Sequence, residues 1–231
     1  MDRLSIIVPV FDEAKGIAAF LAALAPLRAR GAEIIVADGG SHDGTADLAR
    51  PLCDRVVSMR RGRAWQMNAG AAVAQGNILL FLHADTTLPP ETIRLICDGQ
   101  RESGRVWGRF DVRIEGRHWL LPLVAFTMNL RSRLTGIATG DQAMFVRRAA
   151  FAAAGGFPEI PLMEDVALSK RLKRIAPPLC LRARVITSGR RWDKNGVWRT
   201  IVLMWGLRLG FFFGMKTERL AQAYGYAPRE C

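Results

Sequence analysis

The sequence predicts an α/β fold in which a mostly parallel sheet carries helices on both faces. Strand-like and helix-like runs alternate through the first hundred residues, the order that βαβ units produce. The strand runs, such as LSIIVPV at 4–10 and NILLFL at 77–82, are apolar throughout, as strands buried on both faces must be. The segments that follow these strands are conspicuously polar, and ligands of open α/β sheets bind beyond the carboxyl ends of the strands.

Taken in order, 4–10 is the first strand, and 15–28 is a helix with Ile17, Phe20, Leu21, Leu24 and Leu27 on one face. EIIVA at 33–37 is a strand, 45–49 a short helix stopped by Pro51, and RVVS at 55–58 a third strand. Residues 64–74 read as a helix, 77–82 as a buried strand and 90–98 as a helix. The alternation then loosens into a strand at 107–114, an apolar helix at 118–134, a short strand at 142–146, a helix at 165–175 and a strand at 182–187. An amphipathic helical tail follows Gly196. No repeat or linker divides the chain, so one domain is expected over 1–192, with a half of nucleotide-binding pattern at 1–100, a less regular half at 101–192 and a helical tail at 193–231.

The 231 residues are 50% hydrophobic and 23% charged, which excludes a disordered or collagenous chain. The net charge of +12 favours anionic partners. Cysteines 53, 97, 180 and 231 are far apart and form no C-x-x-C pair, so reduced thiols are expected. The first apolar stretch is too short for a signal peptide and is followed at once by Asp12 and Glu13, which points to the cytoplasm. The apolar stretch at 201–215 contains Arg208 and falls short of a membrane span. Its tryptophans, phenylalanines and basic residues suit either a membrane surface at the inner face or a packed or dimeric helix, and packing or oligomerisation is the favoured expectation.

Singly, Asp12, Asp38, Ser41 and Thr45 read as helix caps and turn residues. Four polar loops on one sheet edge read as a site. Gly39, Gly40 and Gly44 permit close backbone approach, and the Asp38 carboxylate suits a base N–H or a ribose hydroxyl. Arg60, Arg61 and Arg63 lie near a helix start, where guanidinium and backbone N–H groups can meet phosphate. Asp85 could ligate a hard divalent cation that also takes diphosphate oxygens, and the alternation of His83-Ala84-Asp85 puts both polar side chains on one side. His83 on its own reads more readily as a hydrogen-bonded structural residue. Glu164-Asp165 at a helix start reads as a cap unless context adds to it.

The ordered motifs SIIVPVFDEA, VADGGSHDGT, NAGAAVAQGNILLFLHADT, GDQAMFVRR and MEDVALSKRL supply that context. Together they resemble the inverting family 2 glycosyltransferases of GT-A fold, Rossmann-like, over roughly residues 4–192. Within that family the chain resembles small bacterial members associated with arsenosugar or selenium-related pathways. The resemblance implies a nucleoside-diphosphate sugar donor, UDP ahead of GDP, an acceptor hydroxyl, and Mn²⁺ or Mg²⁺ as cofactor. It places Pro9, Phe11, Glu13, Asp38, Gly39, Arg63, Asn68 and Ala84 around the nucleotide and Asp85 at the last position of a D-x-D metal motif. His83 stands where the first Asp usually stands. Asp165 matches the general base, with Glu164 beside it. Gly140 and Asp141 fall on the acceptor side with Arg191 and Trp192, of which the last two match the end of a Q-x-x-R-W motif whose Gln is replaced by Thr187 or Ser188.

Two other classes compete. A sugar-phosphate nucleotidyltransferase would need a glycine-rich, basic opening segment, where this chain has Phe11-Asp12-Glu13. A nucleic-acid-binding protein would account for the charge, but no nucleic-acid-binding signature accompanies it and the basic residues are spread along the chain, so no nucleic-acid partner is expected.

Overall fold

A computed structural model describes residues 2–226; Cys231 and the end of the predicted tail lie outside them. The first half contains β1 (Leu4–Val10), α1 (Ile17–Ala29), β2 (Glu33–Asp38), α2 (Thr45–Ala49), β3 (Arg55–Ser58), α3 (Arg63–Val73), β4 (Ile78–Phe81), β5 (Thr86–Thr87) and α4 (Thr92–Ser103). The second contains β6 (Trp107–Glu115), α5 (Leu121–Thr135), β7 (Phe145–Arg147), α6 (Arg148–Ala153), α7 (Glu164–Ile175) and β8 (Leu179–Ser188). Three helices complete it: α8 (Arg190–Asn195), α9 (Val197–Phe212) and α10 (Thr217–Tyr224).

One eight-stranded sheet of order β3-β2-β1-β4-β7-β6-β8-β5 runs through the molecule. β1, β2, β3 and β4 pair in parallel, as do β6 and β8. β7 runs antiparallel to both β4 and β6, and β5 antiparallel to β8, so the sheet is mixed. Apolar side chains of alternate strand positions divide between two cores. Ile6, Val8, Ile34 and Leu80 face α1 on one side; Ile7, Ile35, Leu79 and Val146 face α3 and α7 on the other.

Several elements depart from the sequence reading for local reasons. Residues 140–142 form a 3-10 turn because Thr139 and Gln142 make a reciprocal capping box and Ala143 takes φ 46°, so the strand there is displaced to β7. β5 is only two residues long and α6 is an alanine-rich turn and a half, both too short to carry a period. α4 continues until Gly104 adopts a left-handed cap, and the tail breaks into α9 and α10 around Gly214 at φ 78°.

The second half of the sheet is held by buried charge. Arg109 is fully buried on β6; its Nε donates to Ser132 Oγ at 3.0 Å and its Nη2 to the Asn129 carbonyl at 3.1 Å, while Nη1 meets Asp111. Asp111 also accepts from Arg133 Nη2 at 2.5 Å. It stands at the register shift between β6 and β8. Asn129 reads the backbone of Val112 in both directions at 2.9 Å. α5 is therefore fixed to the sheet by polar contacts together with Leu121, Val124 and Ala125 in the core, while Leu123, Phe126, Leu130 and Leu134 on its other side are exposed.

Candidate active site

The loops after β1 and β2 are stitched together at the carboxyl edge of the sheet. The Asp12 N–H donates to Ser41 Oγ, Glu13 N–H to Thr45 Oγ1 and Ala14 N–H to Asp43 Oδ2, each at 2.9 Å. Gln66 on α3 is buried beneath them. Its Nε2 donates to the carbonyls of Val10 and Ala37 at 2.7 and 2.8 Å, and its Oε1 accepts from the Gly62 N–H at 3.2 Å. This one amide ties the ends of two strands to the arginine loop, a role its sequence position gives no hint of.

Above this floor lies an open cleft of about 330 Å³. Pro9, Phe11 and Glu13 form one wall, Arg61, Arg63 and Arg191 line it, and His83, Ala84 and Asp85 close its inner side. The Arg61 guanidinium lies 4.0 Å over the Phe11 ring, and Arg191 lies 4.0 Å over Tyr224 of α10. Such stacking fixes flat cationic and aromatic faces together at a surface suited to a base and its phosphates. Burial pushes the Glu13 carboxyl upward, with Arg190 opposing and the Asp85 and Asp43 charges adding to the rise.

Behind it a smaller chamber of about 70 Å³ shares Arg63, His83 and Tyr224 with the cleft and adds Gly140, Asp141, Glu164, Asp165 and Arg208. Asp165 sits at the start of α7, where its Oδ2 accepts from the Gly140 N–H and its Oδ1 from the Val166 N–H, both at 2.7 Å. His83 Nδ1 is 3.4 Å from Asp141 Oδ1. Desolvation would raise the Asp141 carboxyl, but the His83 contact holds it below its usual value. Arg63 is open to the cleft yet ringed by protein; desolvation works against its charge, and the anions Glu164, Asp141 and Asp165, with Tyr224, outweigh it.

Glu164 is 4% exposed, and burial, then repulsion from Asp165, pushes its carboxyl up to about 7. A folded-state value above the ordinary 4.5 means that its destabilising contribution is absent below about pH 4.5, grows through that interval and is complete above about pH 7. Glu164→Gln is therefore expected to melt higher than the wild type at pH 8, by an amount on the order of 1–3 kcal/mol, and to lose that advantage at pH 4.5. Thermal melts across the pH range check this; a constant gain at every pH would refute it.

The structure brings Pro9, Phe11, Glu13, Arg63, Ala84, Asp85 and Arg191 to the cleft and Gly140, Asp141, Glu164 and Asp165 to the chamber. Other expected residues lie elsewhere. Asp38 is 3% exposed and turned into its own loop, accepting from the N–H groups of Gly40 and Ser41 at 3.1 Å and from Ser41 Oγ. Gly39 faces the Gln66 amide, leaving no room for a ligand. Asn68 exchanges two hydrogen bonds with the Phe157 backbone, at 2.8 and 2.9 Å, and is a structural clamp. The space over Gly140 is filled by the His83 ring, since a Cβ there would lie 2.4 Å from its Cε1, so a sugar does not approach the backbone at that point. His83 turns to Asp141 instead of pairing with Asp85, and Trp192 packs on the core and lines an apolar trough that shares Asp141, Met204 and Arg208 with the chamber. Tyr224 and Arg208 come from the tail, brought over the site by a third core of Leu162, Met163, Leu207, Leu220 and Ala221.

Asp85 is exposed to the cleft, and among the described residues its carboxylate accepts only a 3.3 Å bond from Thr86 Oγ1. That leaves oxygen ligands for a hard cation. Among the described residues no group of three or more His, Cys, Asp or Glu converges as a metal cage.

This architecture matches solved GT-A glycosyltransferases. S. aureus TarS (residues 1–349) aligns with a TM-score of 0.67 at 21% identity, covering 81% of this chain and 60% of that one. The Pyrobaculum calidifontis mannosyltransferase PcManGT, solved with GDP-Man and Mn²⁺, gives 0.60 at 21% identity over 80% and 56%. Residues 5–154 match Glycosyl transferase family 2, and the chain belongs to that family. An undecaprenyl-phosphate 4-deoxy-4-formamido-L-arabinose transferase of Pseudomonas paraeruginosa is 27% identical over 162 residues, covering 64% of this chain and 47% of the relative. That of Aeromonas hydrophila is 28% identical over 116 residues, covering 46% and 36%. The chain thus spans less than half the length of these relatives.

Proposed function

We propose that this chain transfers a sugar from a nucleoside-diphosphate sugar to an acceptor oxygen by a single in-line displacement that inverts the anomeric centre. The observation that carries this reading is the pair of joined compartments. The cleft offers an aromatic wall, arginines and an exposed carboxylate; the chamber offers a second carboxylate on the far side of Arg63 and His83. Phe11 and Pro9 would flank the base, with Glu13 beside them, and Arg63 and Arg191 would face the diphosphate. A divalent cation held by Asp85 and the diphosphate would offset charge on the leaving group. Asp165 would orient the acceptor and take the proton of an acceptor hydroxyl, with its own geometry fixed by the Gly140 and Val166 amides. Mannosyl and N-acetylglucosaminyl donors are seen in the structural relatives, as GDP-Man in PcManGT and UDP-GlcNAc in TarS, and support a donor of this class.

A thermal-shift panel of UDP, GDP, CDP and dTDP, with and without Mn²⁺, tests the reading. One nucleotide, UDP first, is expected to stabilise the chain only with Mn²⁺, by about 2.7 kcal/mol at a hundred times its dissociation constant. Asp85→Ala is expected to abolish the metal-dependent part. No shift with any nucleotide would overturn the assignment.

A further inference from the structure

The sequence suggests a membrane-facing or packing surface in the tail alone, and the structure adds a second exposed apolar stripe on α5. On α9, Trp198, Val202, Trp205, Leu209 and Phe212 follow one another at intervals of three or four and are 59–72% exposed. On the segment leading through α5, Trp119, Leu123, Phe126, Leu130 and Leu134 repeat the same spacing at 44–79% exposed. A folded chain seldom leaves two such stripes to water. Between the two helices runs an apolar trough of about 560 Å³, within the size range of ligand pockets. No helix among the described residues is long and apolar enough to cross a bilayer, so these faces can lie on a membrane without spanning it.

The inner end of the trough is different in kind. Asp141, Arg131 and Arg208 line it there, and Asp141, Met204 and Arg208 also line the catalytic chamber, so the two spaces adjoin across these three side chains. Arg131 Nε and Nη2 are buried without a hydrogen-bond partner among the described residues. Buried guanidinium nitrogens of Arg131 without a hydrogen-bond partner, with the Arg208 cation beside them at the polar end of an apolar groove, suit an anion attached to a hydrocarbon chain, although Asp141 lines the same end. A helix from a second copy would fill the apolar part but would leave these nitrogens unpaired.

We propose that the acceptor is a membrane-resident lipid phosphate, its chain lying in the trough between α5 and α9 and its phosphate held by Arg131 and Arg208 at the mouth of the Asp165 chamber. The proposal rests on the transfer function inferred above. A phosphate oxygen of the lipid would form the new bond to the anomeric carbon as the bond from that carbon to the donor diphosphate breaks. The electron pair leaves with the nucleoside diphosphate, and any proton on the attacking oxygen passes to Asp165.

The test needs no turnover. Vesicles of phosphatidylcholine carrying bromine on their acyl chains, plain or doped with phytanyl phosphate or with phytanol, are titrated into the full chain while tryptophan quenching and co-flotation are followed. Binding is expected to be at least tenfold tighter with phytanyl phosphate than with phytanol. Leu134→Glu with Trp205→Glu is expected to abolish binding to all vesicles while leaving the nucleotide-induced thermal shift intact. Arg131→Gln is expected to retain vesicle binding and lose the preference for phosphate. Equal affinity for phosphate and alcohol, or a stable dimer that Trp205→Glu converts to monomers and that does not bind vesicles, overturns the proposal. Failure of every nucleotide to bind would instead overturn the transfer function and leave the lipid result readable by itself.

Discussion

Asp165→Asn is expected to bind donor nucleotide as the wild type does and to transfer sugar about 10²–10⁴-fold more slowly, the usual contribution of a general base. The amide is isosteric, so its oxygen can keep the contact with the Gly140 N–H while the Val166 N–H loses its acceptor. The negative charge and the basic lone pair disappear with it. Two measurements separate these effects from misfolding: the thermal shift with UDP and Mn²⁺, expected unchanged, and single-turnover transfer, expected to collapse. Turnover near the wild-type rate would remove Asp165 from the chemistry.

Asp111→Ala is expected to show the largest loss of stability, about 3–5 kcal/mol, as is usual when one partner of a buried ion pair is removed. Asp111 is the shared acceptor of Arg109, which is fully buried, and of Arg133. Its removal leaves the Arg109 charge with only neutral acceptors on Ser132 and Asn129. Urea denaturation at constant slope would report the change directly. A loss below 1 kcal/mol would mean that water reaches Arg109 and that the pair is not what holds α5 to the sheet.

The sequence made the sheet-edge loops legible because strand runs, turn glycines and clustered charge are local signals. Phe11, Glu13 and Asp85, singled out by loop position and motif order, line the cleft, and Asp165 lines the chamber. Asn68 lies away from the cleft because a side chain's direction depends on what packs against it, here the Phe157 backbone. Gln66 was missed because a buried amide joining three loops has no periodicity of its own. Tyr224 and Arg208 reach the site only through the packing of α9 and α10 on Leu162 and Met163, a contact between segments far apart in sequence. The mixed sheet was hidden for a related reason, since β7 is three residues long and its direction is set by its neighbours.

The position of β7 also governs how the chain reaches its native state. β4 pairs on one side with β1, available early, and on the other only with Phe145–Arg147. During synthesis its second edge therefore stays open until some sixty further residues have been made. Residues Ile78–Phe81 are fully apolar, and an exposed apolar strand edge is a template for mispairing. Long-range pairing of this kind also slows folding. A fragment ending at residue 100 is consequently expected to aggregate instead of folding as a free-standing nucleotide-binding unit, because the strand that completes its sheet lies in the other half of the molecule.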